Sequence, residues 1–121
     1  MPSKKLVDAL RSLDSKELKR FGQFVRSPFF NRNPRLITFV EVLERAAPTF
    51  EGPELEKEKL FVAMYGPEVP YQEQKVYDHI SFLMRLLDSF LAQLSYESDE
   101  VAQKSYLLEG LTDRNLDQHF S

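Results

Sequence analysis

Two histidines, His79 and His119, are the chain's only imidazoles, and it has no cysteine. An imidazole base needs a side chain that orients it, and a metal needs several ligands at helical spacing, as in H-E-x-x-H. His79 stands in "YDHIS" beside Asp78, but adjacent helix positions point about 100° apart and cannot form an acid–base pair directly. It reads as a half-buried or surface histidine. Without cysteine, thiolate catalysis, disulfides and the usual structural zinc sites are excluded. The four glycines, at 22, 52, 66 and 110, are scattered and form no phosphate-binding loop or dinucleotide fingerprint. The run "EGPELEKEK" holds Glu51, Glu54, Glu56 and Glu58 but lacks the Asp/Asn spacing of a calcium loop. It reads as a solvated helix entry, where acidic groups suit the positive helix end. No serine sits in a nucleophile elbow. No catalytic, cofactor-binding or metal-ligating residue is assigned, and the chain is expected not to be an enzyme.

Basic residues are the stronger signal. Residues 1–35 carry nine Lys/Arg against three Asp/Glu, a net +6, and residues 36–121 carry seven against sixteen, a net −9. Lys16, Lys19, Arg20 and Arg26 share one helix side, and Arg32 and Arg35 follow in "RSPFFNRNPRL". Together they are the candidate partner or anion contact. The competing reading is that one half docks on the other, or on a neighbouring subunit. Phe29 and Phe30 can stack on an unpaired base, or plug the turn from beneath. The segment "EKEKLFVAMYGPEVPYQEQKVYDHISFLMRLL" also resembles the helix–turn–helix core of winged-helix regulators. It departs from that pattern in offering Glu73 and Asp78 beside Gln72, Gln74, Lys75 and His79 where a groove reader presents donors. Its second helix also runs past Arg85 with no wing. A nucleic-acid-binding regulator with a degenerate helix–turn–helix over about 56–90 is therefore the second reading of function.

The elements that position these residues are helices throughout. Hydrophobic content of 42% and charged content of 29% in 121 residues suit one domain able to bury a core. No apolar run is long enough to span a bilayer, and the N-terminus lacks the features of a signal peptide, so the cytoplasm is the expected compartment. A first helix covers about 4–13. In "LDSKEL", Asp14 and Glu17 form a capping box with Leu13 and Leu18 as staple. That second helix places Leu18, Phe21, Phe24 and Val25 inward, and Gly22 marks a close approach to a neighbour. Ser27-Pro28 stops it, and Asn33-Pro34 starts a third helix running to about Ala47. Pro48 and "PTFEGPE" break the chain before a short helix, about 56–65, that ends at Gly66-Pro67. Val76, Ile80, Leu83, Leu87, Phe90 and Leu94 then repeat at steps of four and three along a long central helix, about 72–96. Phe82 and Leu86 add apolar surface, so the middle of that helix should be enclosed on most sides. A sixth helix, about 99–110, contributes Val101, Tyr106, Leu107 and Leu108. Thr112 caps a final element offering Leu116 and Phe120 as an exposed packing face. The expectation is an all-α, compact orthogonal bundle of six to seven helices around the long one.

Taken together, "LDSKELKRFGQFVRSPFFNRNPRLITFVEVL", "LEKEKLFVAMYG" and "PYQEQKVYDHISFLMRLLDSFLA" resemble an uncharacterised bacterial family. In that family a helical N-terminal domain precedes a long, all-helical, repeat-like remainder. The resemblance implies a single domain over 1–121 that is the N-terminal part of a longer protein, and it transfers no activity, cofactor or site. The leading functional expectation is a non-catalytic helical interaction or scaffold module. Its partner would be another protein or the remainder of its own chain.

Overall fold

A computed structural model describes residues 3–113, and these are all-helical, with no strand among them. Six α-helices follow in order: α1 (Lys4–Arg11), α2 (Ser15–Arg26), α3 (Pro34–Ala46), α4 (Lys57–Tyr65), α5 (Glu73–Glu97) and α6 (Glu100–Asp113), with a 3-10 turn at Pro53–Leu55. Leu116, Phe120 and His119 lie outside the described residues. The chain divides into two compact units, Met1–Leu87 and Asp88–Ser121, and the division falls inside α5.

In the first unit the helix starts are local chemistry. Asp14 accepts from the Glu17 backbone N–H at 2.7 Å while Glu17 accepts from the Asp14 N–H at 3.0 Å, closing the expected capping box. Asn33 caps α3 through the Arg35 N–H at 3.0 Å, with Pro34 in the first turn. The α4 helix stops at Gly66, whose φ of 91° is left-handed backbone that favours glycine. Helix α3 is the packing hub of this unit. It lies against α2, α4 and the 3-10 turn, and it buries Leu36, Phe39, Val40, Val42, Leu43 and Ala46. Leu6, Val7 and Leu10 of α1, Phe21, Phe24 and Val25 of α2, and Leu60, Phe61 and Met64 of α4 complete the apolar interior with Phe50 and Leu55. Phe50 is buried although its φ of 52° is left-handed. A bulky residue tolerates that conformation only where burial of its ring offsets the backbone cost.

The seam Val76, Ile80, Leu83 and Leu87 of α5 is buried, as its spacing predicts. The expected enclosure of that helix is not found. Leu86 is buried, but Phe82 is 43% exposed and Tyr77 is 39% exposed, so one side of the helix faces solvent. An apolar residue off the main seam adds hydrophobicity without adding a neighbour to cover it.

The "RSPFFNRNPRL" stretch does connect α2 to α3, but its plug is not an aromatic. Phe29 is 88% exposed, and Phe30 stacks on buried Phe24 with ring centroids 4.0 Å apart while remaining 41% exposed. The buried member is Asn31, the one buried polar side chain among the described residues. Its Nδ2 donates to the Val25 carbonyl at 2.9 Å and to the Asn33 carbonyl at 3.1 Å, and its Oδ1 accepts from the Asn33 N–H at 2.9 Å. Val25 is in the last turn of α2, where carbonyls lack intrahelical partners. One amide thus satisfies the end of α2 and sets the residue that caps α3. The Asn31 backbone N–H donates to the Ser27 carbonyl at 2.9 Å.

In the second unit, Phe90 is buried and α5 continues to Glu97. A two-residue connection leads into α6. Asp99 accepts from the Ala102 N–H at 3.0 Å, and the Gln103 amide donates to the carbonyls of Tyr96 and Glu97 at 2.8 and 2.9 Å. The turn is thus capped for both the helix that ends and the helix that begins. Two expectations fail here. Helix α6 runs through Gly110 to Asp113, so Thr112 is inside it and not a cap. A single glycine costs a helix only about 1 kcal/mol, which continuing backbone bonds can offset. Nor does α6 contribute core, for none of its residues is buried.

Substitution separates the amide from the aromatics of the turn. Asn31→Asp places a carboxylate oxygen against two carbonyls and should cost at least about 3 kcal/mol, and Asn31→Ala about 2 kcal/mol, in urea unfolding. Phe30→Ala should cost about 1–2 kcal/mol and Phe29→Ala under about 0.5 kcal/mol. An Asn31→Ala protein as stable as Phe29→Ala would show that the amide does not hold the turn.

Candidate functional site

The six basic residues of the candidate surface sit on α2, in the turn after it and at the start of α3. Lys16, Lys19 and Arg20 are on the outer side of α2. The three arginines at the turn diverge to different partners. Arg26 donates to Glu44 of α3 at 2.6 and 3.4 Å, with Glu41 at 4.0 Å. The bond to Glu44 holds its guanidinium above the usual arginine pKa, with the Glu44 and Glu41 charges adding to it. Arg32 reaches the Pro28 carbonyl at 3.5 Å. Arg35 crosses to α4 and lies over the Tyr65 ring, 4.2 Å from its centroid.

The Arg26–Glu44 pair explains Gly22. A Cβ at this buried position would come within 2.6 Å of Glu44 Oε2 and 2.7 Å of Arg26 Nη1. The ion pair therefore arches over the glycine where α2 meets α3, the close approach expected there.

Around Tyr65 the structure gathers residues that the sequence kept apart. Lys75 Nζ stands 5.1 Å from the same ring centroid. Phe61, one helical turn earlier, stacks on Tyr65 at 4.6 Å. His79 meets Tyr65 edge-on, its Nε2 3.5 Å from the phenolic oxygen. Its Nδ1 lies 2.6 Å from the Lys75 carbonyl, and because a carbonyl only accepts, Nδ1 carries the proton. In that tautomer Nε2 accepts from the Tyr65 hydroxyl. A small cleft of about 110 Å³, lined by Asn33, Asp78, His79 and Phe82, adjoins the ring pair. Asp78 accepts from Gln74 at 2.9 Å and does not touch the His79 ring nitrogens.

A second group surrounds Lys57, which donates to the Tyr77 hydroxyl, lies over the Tyr77 ring, and pairs with Glu73 at 3.7 Å. The Tyr77 bond raises the Lys57 pKa above its ordinary value, with the nearby Glu73 charge acting in the same sense. Partial burial, with the charges of Glu73 and Glu58, raises the neighbouring Tyr71 phenol. On the other side of the unit an apolar groove of about 320 Å³ runs between Leu13, Leu18, Ala47, Pro48 and Phe50. Its rim residue Arg11 is held by the Thr49 carbonyl at 2.7 and 3.0 Å and by Glu51 at 3.2 Å. Among the described residues no group of His, Asp and Glu side chains could hold a metal ion. No described helix is long and apolar enough to cross a membrane.

No protein-family model, curated protein or solved structure matches this chain.

Sequence reasoning singled out Arg35 among the basic residues and named Lys75 only on the helix–turn–helix face, and it passed over Tyr65 and Asn31. Tyr65 and Lys75 carry no local signal, because only the packing of α3 against α4 brings Arg35 to the ring. Asn31 had one, a side chain able to cap both flanking helices across a turn of fixed length.

The glycine under the ion pair yields a direct check. Gly22→Ala gains about 1 kcal/mol of helix propensity and displaces an exposed pair worth about 0–1 kcal/mol, so stability should change by less than about 1 kcal/mol. In a double-mutant cycle, the Arg26–Glu44 coupling should be measurable with Gly22 in place and vanish in the Gly22→Ala background. Equal coupling in both backgrounds would mean that the pair does not span the glycine.

Proposed function

We propose that the chain is a non-catalytic helical interaction module, docking through the outer face of α6 onto a further helical hairpin of its own longer chain. The observation that carries this reading is the state of α6. Val101 is 76% exposed, Leu107 54% and Leu108 45%, in a helix of fourteen residues that buries none of them. Isolated short helices are marginal in water, and most of their stability comes from packing an apolar face. The turn before α6 is capped at both helix ends, while the apolar side chains of α6 stay uncovered. This is the condition of a hairpin in a stacked array, where each unit needs the next for burial. The resemblance to a family with a helical repeat-like remainder points the same way.

Nucleic-acid binding draws less support. Of the six basic side chains, Arg26 is neutralised by carboxylates and Arg32 is turned to its own turn's backbone. On α5, the carboxylates Glu73 and Asp78 flank Lys75 in the sequence.

Hydrogen exchange compares the two situations of α6. In the 121-residue chain the α6 amides should exchange almost freely, and in the natural full-length protein they should be strongly protected. Leu107→Glu with Leu108→Glu should leave the short chain's stability within about 0.5 kcal/mol and abolish that protection. A natural chain that ends at Ser121, or unprotected α6 amides in the longer one, would remove the scaffold reading. In a low-salt titration with labelled duplex and single-stranded DNA and RNA no binding is expected. A salt-sensitive complex lost on charge reversal at Lys16 and Lys19 would favour the nucleic-acid reading instead.

A further inference from the structure

Among the described residues, neither cation at Tyr65 is engaged in an ion pair. The pairs of Arg11 with Glu51, Arg26 with Glu41 and Glu44, and Lys57 with Glu73 leave Arg35 and Lys75 outside them. Yet both cationic centres lie within 5.1 Å of one ring centroid. Phe61 stacks on the same ring. Like charges brought together in this way repel, and the negative face of a tyrosine offsets only part of that repulsion. The arrangement gains most from an oxyanion placed between them.

We propose that Arg35, Lys75, Tyr65 and His79 form a binding site for a single phosphomonoester group. Three helices contribute, α3 through Arg35, α4 through Tyr65, and α5 through Lys75 and His79. Arg35 supplies a planar fork that matches two phosphate oxygens, and Lys75 supplies a point charge, so together they balance a dianion. Arg35 is also in the first turn of α3, whose positive end adds to the field. The Tyr65 hydroxyl is held only at 3.5 Å by His79 and can turn to donate to a bound oxygen. Arg35 is exposed and Lys75 half-buried, so the site is open to a ligand.

The surroundings select against a polyanion. A nucleic acid needs a track of cations, but Asp78 lines the adjoining cleft and Glu73 stands on the same helix, engaged with Lys57. One compact phosphate avoids both carboxylates, whereas a run of phosphodiesters meets them. The site is confined to the first unit and does not depend on the docking of α6.

The test is a titration of the isotope-labelled chain followed by amide and side-chain resonances. The probes are inorganic phosphate, O-phosphoserine, a neutral peptide carrying one phosphoserine, and a short single-stranded oligonucleotide, with sodium chloride as the ionic-strength control. Phosphate and phosphoserine should shift Arg35, Tyr65, Lys75 and His79 together and saturably. Arg35→Gln or Lys75→Gln should weaken that binding at least about tenfold, and Lys5→Gln, on the exposed side of α1, should leave it unchanged. Tighter binding of the peptide than of free phosphoserine would assign the phosphate to a protein partner, and equal binding to a small molecule; both support the site. Shifts that chloride reproduces, or that survive in both glutamine variants with their melting temperatures intact, would overturn it. So would an oligonucleotide that binds more tightly than any monoester.

Discussion

The first unit depends on one side-chain amide. Between the end of α2 and the start of α3 the chain must reverse within a few residues, leaving carbonyls of α2 and backbone groups before α3 without helical partners. Asn31 answers that need from inside the turn, with two donor bonds and one acceptor bond all formed. A buried amide left half-satisfied would be more costly than an apolar residue, so the geometry around it is strongly specified. Asn33 can then cap α3, and α3 is placed against α2.

From that placement the rest of the unit follows. Because α3 meets α2 closely over Gly22, Glu44 can reach Arg26 across the crossing. Because α3 also packs against α4, Arg35 in its first turn reaches Tyr65 at the end of α4. The basic half of the sequence is therefore partitioned by the fold. Part of it neutralises α3's own carboxylates, part remains along the outer side of α2, and one arginine joins a lysine from α5 over an aromatic ring. In the second unit the described connection between α5 and α6 is held by caps from Asp99 and Gln103.

Much of this is legible in the sequence, for reasons that can be named. The Asp14–Glu17 box, the Asn33-Pro34 start, the Gly66 stop and the buried seam of α5 are set by interactions a few residues apart, so residue type and spacing reveal them. The extent of α6 is not legible, because a glycine and a threonine carry only weak stop signals, which continuing backbone bonds override. The aromatics of the turn escape for another reason. A phenylalanine's hydrophobicity says that burial would be favourable, not that enough neighbours exist to cover it, and Phe29 touches Phe30 edge-on yet stays exposed.

What the sequence determined by itself is the all-helical class, the order of helices and nearly all their ends, because capping and periodicity are local. It also shows that these 121 residues contain no cysteine. Only the tertiary structure decided which charges meet. Arg26, Arg32 and Arg35 are close neighbours in the chain, yet one faces carboxylates, one faces a backbone carbonyl and one faces Tyr65 and Lys75. Their separation follows from their places at the end of α2, in the turn and at the start of α3, and from packing, which sets what stands beside each.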